Sequence, residues 1–250
     1  MPVTQLRAPA KLTLAFRVTG VRPDGYHLID AEMVTVDLAD LLEVDEGDLL
    51  IVVDGPQVAA DNSNLVRRAL RATGRRAAVR LSKRIPVGGG LGGGSADAAA
   101  VLRWAGLADL SLAASLGADV PFCLLGGRAR VRGIGEVIDP LPFVARTFTL
   151  MTPPLSVSTA AVYRAWDRLG GPTAEGGNDL EPAALEVQPE LAGWRDRLGA
   201  ITGQTPMLAG SGSTWFVEGA YPGPGLVVVS TEPAEAATTA LPVTTAPRPS

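Results

Sequence analysis

Apolar residues recur along this chain in short runs that predict a mixture of strands and helices. Runs rich in aliphatic and β-branched residues predict strands over the segments 12–19, 34–44, 49–53, 77–85, 122–125, 129–131, 147–151 and 226–230. Apolar residues at helical spacing predict helices over the segments 65–73, 95–106, 110–116, 158–169, 178–186 and 189–198. Because strands and helices do not alternate strictly, the pattern favours an α+β fold over a doubly wound sheet.

A glycine-rich run separates the strand over 77–85 from the helix over 95–106. Six of the seven residues from Gly88 to Gly94 are glycine, so backbone N–H groups can approach a bound anion without obstruction by side chains. The helix that follows from Ser95 would point its N-terminal end at the same anion. We therefore predict a loop that binds the phosphates of a nucleotide.

Other interpretations of the glycine run are weaker. A flexible linker is usually polar and repetitive, whereas this run follows Ile85 and contains Leu91. The Walker pattern requires a lysine where this chain has Ser95. The match to the dinucleotide fingerprint would need an acidic residue on a second strand, and Asp109 lies in a segment without a β-run.

Composition narrows the possible functions. The 250 residues carry a formal net charge of −4, which gives no electrostatic support for a nucleic-acid partner or for binding to an acidic membrane. The single cysteine, Cys123, cannot form an internal disulfide and fits a reducing compartment. No apolar run approaches the roughly 20 residues of a membrane span, and no signal pattern is evident, so we expect a cytoplasmic protein.

Polar residues outside the glycine run are further candidates for chemistry. Lys11 opens an apolar strand, where a solvated charge is the ordinary interpretation. Tyr26 and the only histidine, His27, share one turn, and together they could stack on a base and hydrogen-bond its edge. Asp119 either caps a turn or acts as a functional carboxylate. A second small-residue loop, 209–214, suggests a ligand cleft with two glycine-lined sides.

In their order along the chain, these motifs resemble the GHMP superfamily of small-molecule kinases. The matching segments are Lys11, 24–27, 86–100, 117–122, 156–163, 178–182 and 210–214. They cover almost the whole chain, from about Ala8 to Phe216. The combination of 24–27 with 117–121 is more specific, and it resembles the branch whose acceptor carries a cytidyl group.

The resemblance implies a two-lobed GHMP-kinase fold with the active site in the cleft between the lobes. An N-terminal lobe over 1–146 would carry the glycine loop, a C-terminal lobe would span 147–231, and 232–250 would form a flexible tail. The implied activity is ATP-dependent phosphorylation of the 2-hydroxyl of a cytidine diphospho-sugar alcohol, on the methylerythritol phosphate route to isoprenoid precursors. Mg²⁺ is expected with the nucleotide; Ser95 is a candidate ligand, and no carboxylate ligand is assigned. The oligomeric state is not predicted.

The resemblance also implies the residues that bind ATP. The phosphates would be wrapped by Pro86, Val87, Gly88, Gly89, Gly90, Leu91, Gly92, Gly93, Gly94, Ser95 and Ala96. Asn64 and Leu65 would hold the adenine, with Lys83 near it. Lys11 and Asp119 would lie beside the hydroxyl that attacks the γ-phosphate.

The implied acceptor site contains aromatic and hydroxyl side chains. Tyr26 and Tyr163 would sandwich the cytosine ring, and His27 would hydrogen-bond its edge. Thr159 would contact the acceptor. Thr13 would make a polar contact to the active site from a position where the family usually has asparagine.

Two other functions remain open at this point. A GHMP kinase with a mevalonate- or homoserine-like acceptor would have no base for Tyr26, His27 and Tyr163 to bind. A non-catalytic nucleotide-binding relative would have no need of Lys11 and Asp119.

The chain departs from the family's pattern in a few places. Ala96 and Ala209 stand where serine is usual, and the stretch between Leu102 and Gly117 is shorter than expected. Packing lost in that stretch could tilt the segment that carries Asp119.

Overall fold

The computed structural model describes residues 3–234, which form two β-sheets and seven helices. The strands are β1 (Thr4–Val21), β2 (His27–Asp45), β3 (Leu49–Asp54), β4 (Ala78–Ser82), β5 (Arg128–Gly133), β6 (Val137–Leu141), β7 (Thr147–Met151), β8 (Met207–Leu208), β9 (Trp215–Glu218) and β10 (Leu226–Ser230). The helices are α1 (Leu65–Ala72), α2 (Gly93–Trp104), α3 (Leu110–Leu116), α4 (Val120–Leu125), α5 (Thr159–Arg168), α6 (Glu181–Val187) and α7 (Leu191–Thr202). The α+β prediction is confirmed.

The larger sheet is built on the long antiparallel pair of β1 and β2. Its order is β3-β4-β2-β5-β6, with β1 also paired to β2, and β3 and β4 run parallel. The register between β1 and β2 shifts between Pro9 and Lys11 and again between Thr13 and Ala15. Irregularities of this kind change the direction in which a side chain points, and these two flank Lys11 and Thr13.

Helix α2 packs closely against the larger sheet because its buried face is rich in alanine. Ala96, Ala98 and Ala99 have no exposed surface, and the helix contacts β1, α1 and α4. Asp97 is buried in the same helix. Small side chains allow the close approach that brings this carboxylate into the interior.

The smaller sheet has the order β10-β7-β9-β8, and its core includes Trp215 and Phe148. After β10 the chain returns to the larger sheet, where Thr231 forms a β-bridge with Val36. Glu232, the first residue of the predicted tail, forms an ion pair with Arg7 at 2.6 Å. The remainder of the predicted tail, from residue 235 onward, lies outside the described residues.

One predicted element is wrong. The segment 122–125 is the end of helix α4 (Val120–Leu125) and not a strand. Periodicity cannot distinguish the two in a short apolar run that is buried on all sides, and Pro121 in the first turn is a helix-start signal. Helix α2 also begins at Gly93, earlier than predicted, because Gly92 adopts a left-handed φ of 71° before it.

Other predicted elements differ from the structure in their extent. Strand β1 begins eight residues before the predicted segment, since its alanine and proline residues at 8–10 hide the alternation. Strands β6, β8 and β9 were not predicted at all. Helix α6 begins at Glu181, and the predicted first turn at 178–180 is irregular. Among residues 3–234, no helix has both the length and the apolar character needed to cross a membrane.

Candidate active site

A cavity of about 1080 Å³ lies where the glycine run, β1, the turn before β2 and helix α5 come together. Nearly all the sequence-predicted site residues line it: Lys11, Tyr26, His27, Asn64, Leu65, Lys83, every residue from Pro86 to Ser95, Asp119, Thr159 and Tyr163. Two predicted residues do not line it, because Thr13 and Ala96 are buried behind the cavity wall. A cavity of this size is at the upper end of the range for small-molecule sites.

The glycine run forms a loop that packs against β1. The backbone N–H of Lys11 donates to the carbonyl of Leu91 at 3.1 Å, and the Leu91 side chain is buried. Gly88, Gly90 and Gly92 have φ values between 71° and 76°, in the left-handed region that favours glycine. The burial of Leu91 fixes a loop whose neighbouring residues carry no side chains.

The second small-residue loop, 209–214, packs directly on the first. The N–H of Thr214 donates to the carbonyl of Gly89 at 3.2 Å. A Cβ on Gly90 would overlap the carbonyl oxygen of Ala209. The two loops therefore meet directly, instead of facing each other across the cleft as the sequence suggested.

Lys11 and Asp119 form an ion pair beside the glycine loop. The Lys11 Nζ lies 3.5 Å from Asp119 Oδ2 and 3.1 Å from the Thr13 hydroxyl. The Lys11 side chain is 6% exposed and that of Asp119 is 34% exposed. A Cβ at Gly92 would lie 2.9 Å from Lys11 Cγ, so glycine is needed there to let the lysine pass.

Asp119 does not cap the helix that it precedes. It is the N-cap residue of α4, but its side chain accepts no capping hydrogen bond. The carboxylate is thus available to a ligand. The short stretch before it contains α3, whose Ala113 and Leu116 are buried, and Asp119 still reaches Lys11.

A second ammonium, that of Lys83, is buried behind the loop between two carboxylates. Its Nζ donates to Asp97 Oδ2 at 2.8 Å and also to Asp40 Oδ2. Asp40 accepts in addition from the backbone N–H groups of Arg84 and Ile85, which lead into the glycine run. These bonds tie β2, the entrance of the loop and helix α2 together.

The cluster contains one ammonium and two carboxylates, and this imbalance of charge affects the pKa values of its members. Burial raises the pKa of Asp97 to about 7; the Lys83 charge opposes this shift and the Asp40 charge adds to it. Burial disfavours the charged form of Lys83, but Asp97 and Asp40 outweigh it and raise the pKa of the lysine. The Asp97 Oδ1 atom has no hydrogen-bond partner among residues 3–234.

The raised pKa of Asp97 predicts a pH-dependent stability that an asparagine would remove. Between the ordinary value of 3.8 and about 7, the folded protein holds a proton that the unfolded chain has lost. Stability therefore falls as pH rises through this interval. We measure the free energy of unfolding in urea. Between pH 4 and pH 8, we expect the value for Asp97→Asn to rise by up to about 4 kcal/mol relative to that of wild type.

The control for this measurement is Asp196→Asn, which neutralises an exposed carboxylate on α7. It should keep a nearly constant difference from wild type across the same range. A constant difference for Asp97→Asn as well would contradict the raised pKa.

His27 lines the cavity within an aromatic cluster. Its ring stacks on Tyr163 with centroids 4.5 Å apart and meets the edge of Trp166 at 5.5 Å. Burial, with a smaller contribution from the Asp119 charge, raises the pKa of Tyr163. Tyr26 is 59% exposed at the rim. A base that bonds to His27 therefore meets an imidazole whose ring is already covered on one side by Tyr163.

Buried polar residues that sequence analysis did not assign hold this site in place. The Asn178 side chain donates to the carbonyls of Leu208 and Gly210 and thereby fixes the second loop. Asp179 accepts from Arg17 at 2.7 Å and from the N–H of Val18. One signal for such residues was available: an aspartate such as Asp97 within an alanine-rich helix predicts a buried charge that needs a partner.

No metal cluster is evident in this region. Across the residues that the structure describes, His, Cys, Asp and Glu side chains form no group of three or more that could hold a metal ion.

Comparison with known proteins shows which class of protein shares this fold and site. The model of the GHMP kinases N terminal domain matches residues 64–127, which include the glycine run. Solved structures of a Methanococcus jannaschii mevalonate kinase and a putative homoserine kinase from Listeria monocytogenes share the fold, each at 14% identity. Their TM-scores are 0.56 and 0.57, they cover 86% and 92% of this chain, and 90% and 97% of their own chains are covered.

More similar proteins identify the family within that class. A 4-diphosphocytidyl-2-C-methyl-D-erythritol kinase from Paracoccus denitrificans is 40% identical over 84% of each chain. One from Ruegeria pomeroyi is 41% identical over 87% of this chain and 88% of its own. A crystal structure of a 4-(cytidine 5'-diphospho)-2C-methyl-D-erythritol kinase covers 91% of this chain and 98% of its own, with 34% identity and a TM-score of 0.74. The chain belongs to this family of ATP-dependent small-molecule kinases.

Proposed function

We propose that this chain transfers the γ-phosphoryl group of ATP to the 2-hydroxyl of 4-diphosphocytidyl-2-C-methyl-D-erythritol. The observation that carries the proposal is the Lys11–Asp119 pair, 3.5 Å apart, beside the glycine loop in one large cavity. An ammonium and a carboxylate at this place suit an alcohol that must lose its proton near a phosphate.

In the proposed reaction, Asp119 orients the acceptor hydroxyl and takes its proton. The acceptor oxygen forms a bond to the γ-phosphorus while the bond from that phosphorus to the β,γ-bridging oxygen breaks, which releases ADP. The Lys11 ammonium stabilises negative charge on the reacting oxygen atoms. Its bond to the Thr13 hydroxyl would help to fix its position, so Thr13 would act through this lysine and not by contacting the substrate.

The glycine loop and helix α2 would hold the nucleotide phosphates. The run from Gly88 to Gly94 carries a side chain only at Leu91, which is buried, and α2 begins within this run at Gly93. Asn64 and Leu65 line the same cavity and would hold the adenine. Two N–H groups of Lys83 are already used by Asp40 and Asp97, so we propose that it acts mainly by holding the loop.

Aromatic residues of the same cavity would bind the cytosine. Tyr26 and Tyr163 offer ring faces and His27 offers a ring nitrogen. The Thr159 hydroxyl lies 2.8 Å from the Ser211 hydroxyl, at the point where α5 meets the second loop, and would contact the acceptor. We retain the proposed lobes over 1–146 and 147–231, since the strands of the larger sheet end at Leu141 and those of the smaller sheet begin at Thr147.

Mg²⁺ is proposed as the companion of the nucleotide. The Ser95 hydroxyl lines the cavity, and Mg²⁺ prefers oxygen ligands, among which phosphate and water oxygens would complete its shell. When bound, the ion would supply positive charge that offsets the phosphate oxygens.

Turnover on three acceptors tests the proposed function. With ADP release as the readout, we expect the cytidyl substrate to be phosphorylated at least a hundredfold more efficiently than mevalonate or homoserine, since these two lack a base. Preference for mevalonate or homoserine would assign a different acceptor class. ATP binding without turnover on any of the three would indicate a non-catalytic relative.

A further inference from the structure

Asp167 fixes the hydrogen-bonding state of His27. Its Oδ1 atom lies 2.7 Å from His27 Nε2. Since a carboxylate only accepts hydrogen bonds, Nε2 carries the hydrogen in this contact. Among residues 3–234, Asp167 makes no ion pair with a lysine or arginine, so the imidazole is its one bonded partner.

The fold holds the imidazole in one orientation. Tyr163, Trp166 and Asp167 lie three and four positions apart on α5, so they share one face of that helix. Two of them pack on the His27 ring and the third bonds to its Nε2. The His27 side chain is only 9% exposed, although it lines the cavity. Rotation of the ring would break the hydrogen bond and disturb both aromatic contacts.

The other ring nitrogen is left for a ligand. Within the described part of the chain, no protein group bonds to His27 Nδ1. In a neutral imidazole with hydrogen on Nε2, Nδ1 is an acceptor. The exocyclic amine of cytosine donates a hydrogen bond, whereas the corresponding carbonyl of uracil only accepts one.

We infer that Asp167 is a positioning residue that selects cytosine over uracil in the acceptor by keeping His27 Nδ1 a hydrogen-bond acceptor. The inference rests on the proposed function, because it presumes that the acceptor's base lies against His27. Uracil in this position would face Nδ1 with two acceptors opposed, which leaves both unpaired. A site that accepts a hydrogen bond from one base binds an analogue without that donor much more weakly.

The variant Asp167→Asn tests this inference, because it keeps the shape of the side chain and removes its restriction to accepting. An amide can accept from Nε2–H or donate to a bare Nε2, so both neutral forms of His27 become accessible. We expect wild type to bind CDP at least tenfold more tightly than UDP at pH 8, where imidazoles are ordinarily neutral. In the variant this ratio should fall to about threefold or less, with a raised KM for the cytidyl acceptor and kcat within about threefold of wild type.

A second readout reports the imidazole directly. His27 is the only histidine of the chain, so ¹⁵N-histidine labelling of untagged protein gives the resonances of a single ring. Protonated and bare ring nitrogens resonate in separate ranges. We expect wild type to show hydrogen on Nε2 alone and Asp167→Asn to show a mixture of the two forms. Glu186→Gln, which removes the carboxylate paired with the neighbouring Arg168, should match wild type in both measurements.

Each remaining outcome overturns the inference. An unchanged CDP-to-UDP ratio in Asp167→Asn, or a wild type that binds both equally, would show that Asp167 does not select the base. Turnover of the cytidyl acceptor by wild type is measured on the same preparation. If wild type phosphorylates the cytidyl acceptor, a negative result overturns only the role of Asp167. If wild type does not phosphorylate it, the proposed function is wrong as well.

Discussion

Asp119→Asn is expected to reduce turnover at least a hundredfold while leaving nucleotide binding intact. The substitution preserves the size of the side chain but removes the group that can take the proton of the acceptor hydroxyl, and such assistance is typically worth 10²- to 10⁴-fold in rate. The carboxylate makes no capping hydrogen bond, so its loss should not unfold α4. A coupled ADP assay measures turnover, and titration with an ATP analogue measures binding.

A second acidic residue of the same cavity provides the control for Asp119. Glu136 lines the cavity and accepts from the N–H of Ile134, a bond that glutamine can also accept. Glu136→Gln should therefore keep most of the wild-type rate, which separates loss of one particular carboxylate from loss of charge in general. Wild-type turnover in Asp119→Asn would refute the role proposed for this residue.

Lys83→Met is expected to lower the free energy of unfolding by about 3–5 kcal/mol, because it leaves two buried carboxylates without their shared cation. Asp40 and Asp97 are both almost fully buried, so water cannot replace the ammonium. Urea unfolding at pH 7.5 measures the loss. The adjacent and exposed Arg84 supplies the matched control, and Arg84→Met should change stability by no more than about 0.5 kcal/mol.

A double variant distinguishes the charge imbalance from a simple loss of packing. Lys83→Met combined with Asp97→Asn removes one of the two carboxylates and should recover part of the lost stability. No recovery, or unfolding of Lys83→Met at the wild-type urea concentration, would show that the cluster contributes little through its charges.

Elements with strong local signals could be predicted from the sequence, and elements defined by their surroundings could not. Helix α3 and strands β7 and β10 have the predicted bounds, because each follows a clear pattern with a break at both ends. Helix α4 was mistaken for a strand since all its faces are buried, which removes the periodicity on which the distinction depends. The two-residue strand β8 has too few residues to show any pattern.

The residues of the site likewise divide into those that the sequence could predict and those that it could not. The composition of the glycine run predicted a phosphate loop. Lys11, His27 and Asp119 were candidates by residue type, and the resemblance to a known family gave them roles. The residues that hold these groups pair across long sequence separations, as Lys83 does with Asp40 and His27 does with Asp167. No local pattern reports such a pair, because it exists only once the chain has folded.

The Lys11 backbone N–H donates to the Leu91 carbonyl. This bond connects the loop proposed to bind ATP with the strand that carries the lysine proposed to act on the acceptor hydroxyl. The stem of the lysine also passes over Gly92, so a shift of the phosphate loop would carry the ammonium with it. Arrival of the first substrate would then organise the place where the second one reacts. This shared framework predicts that nucleotide and acceptor favour each other's binding.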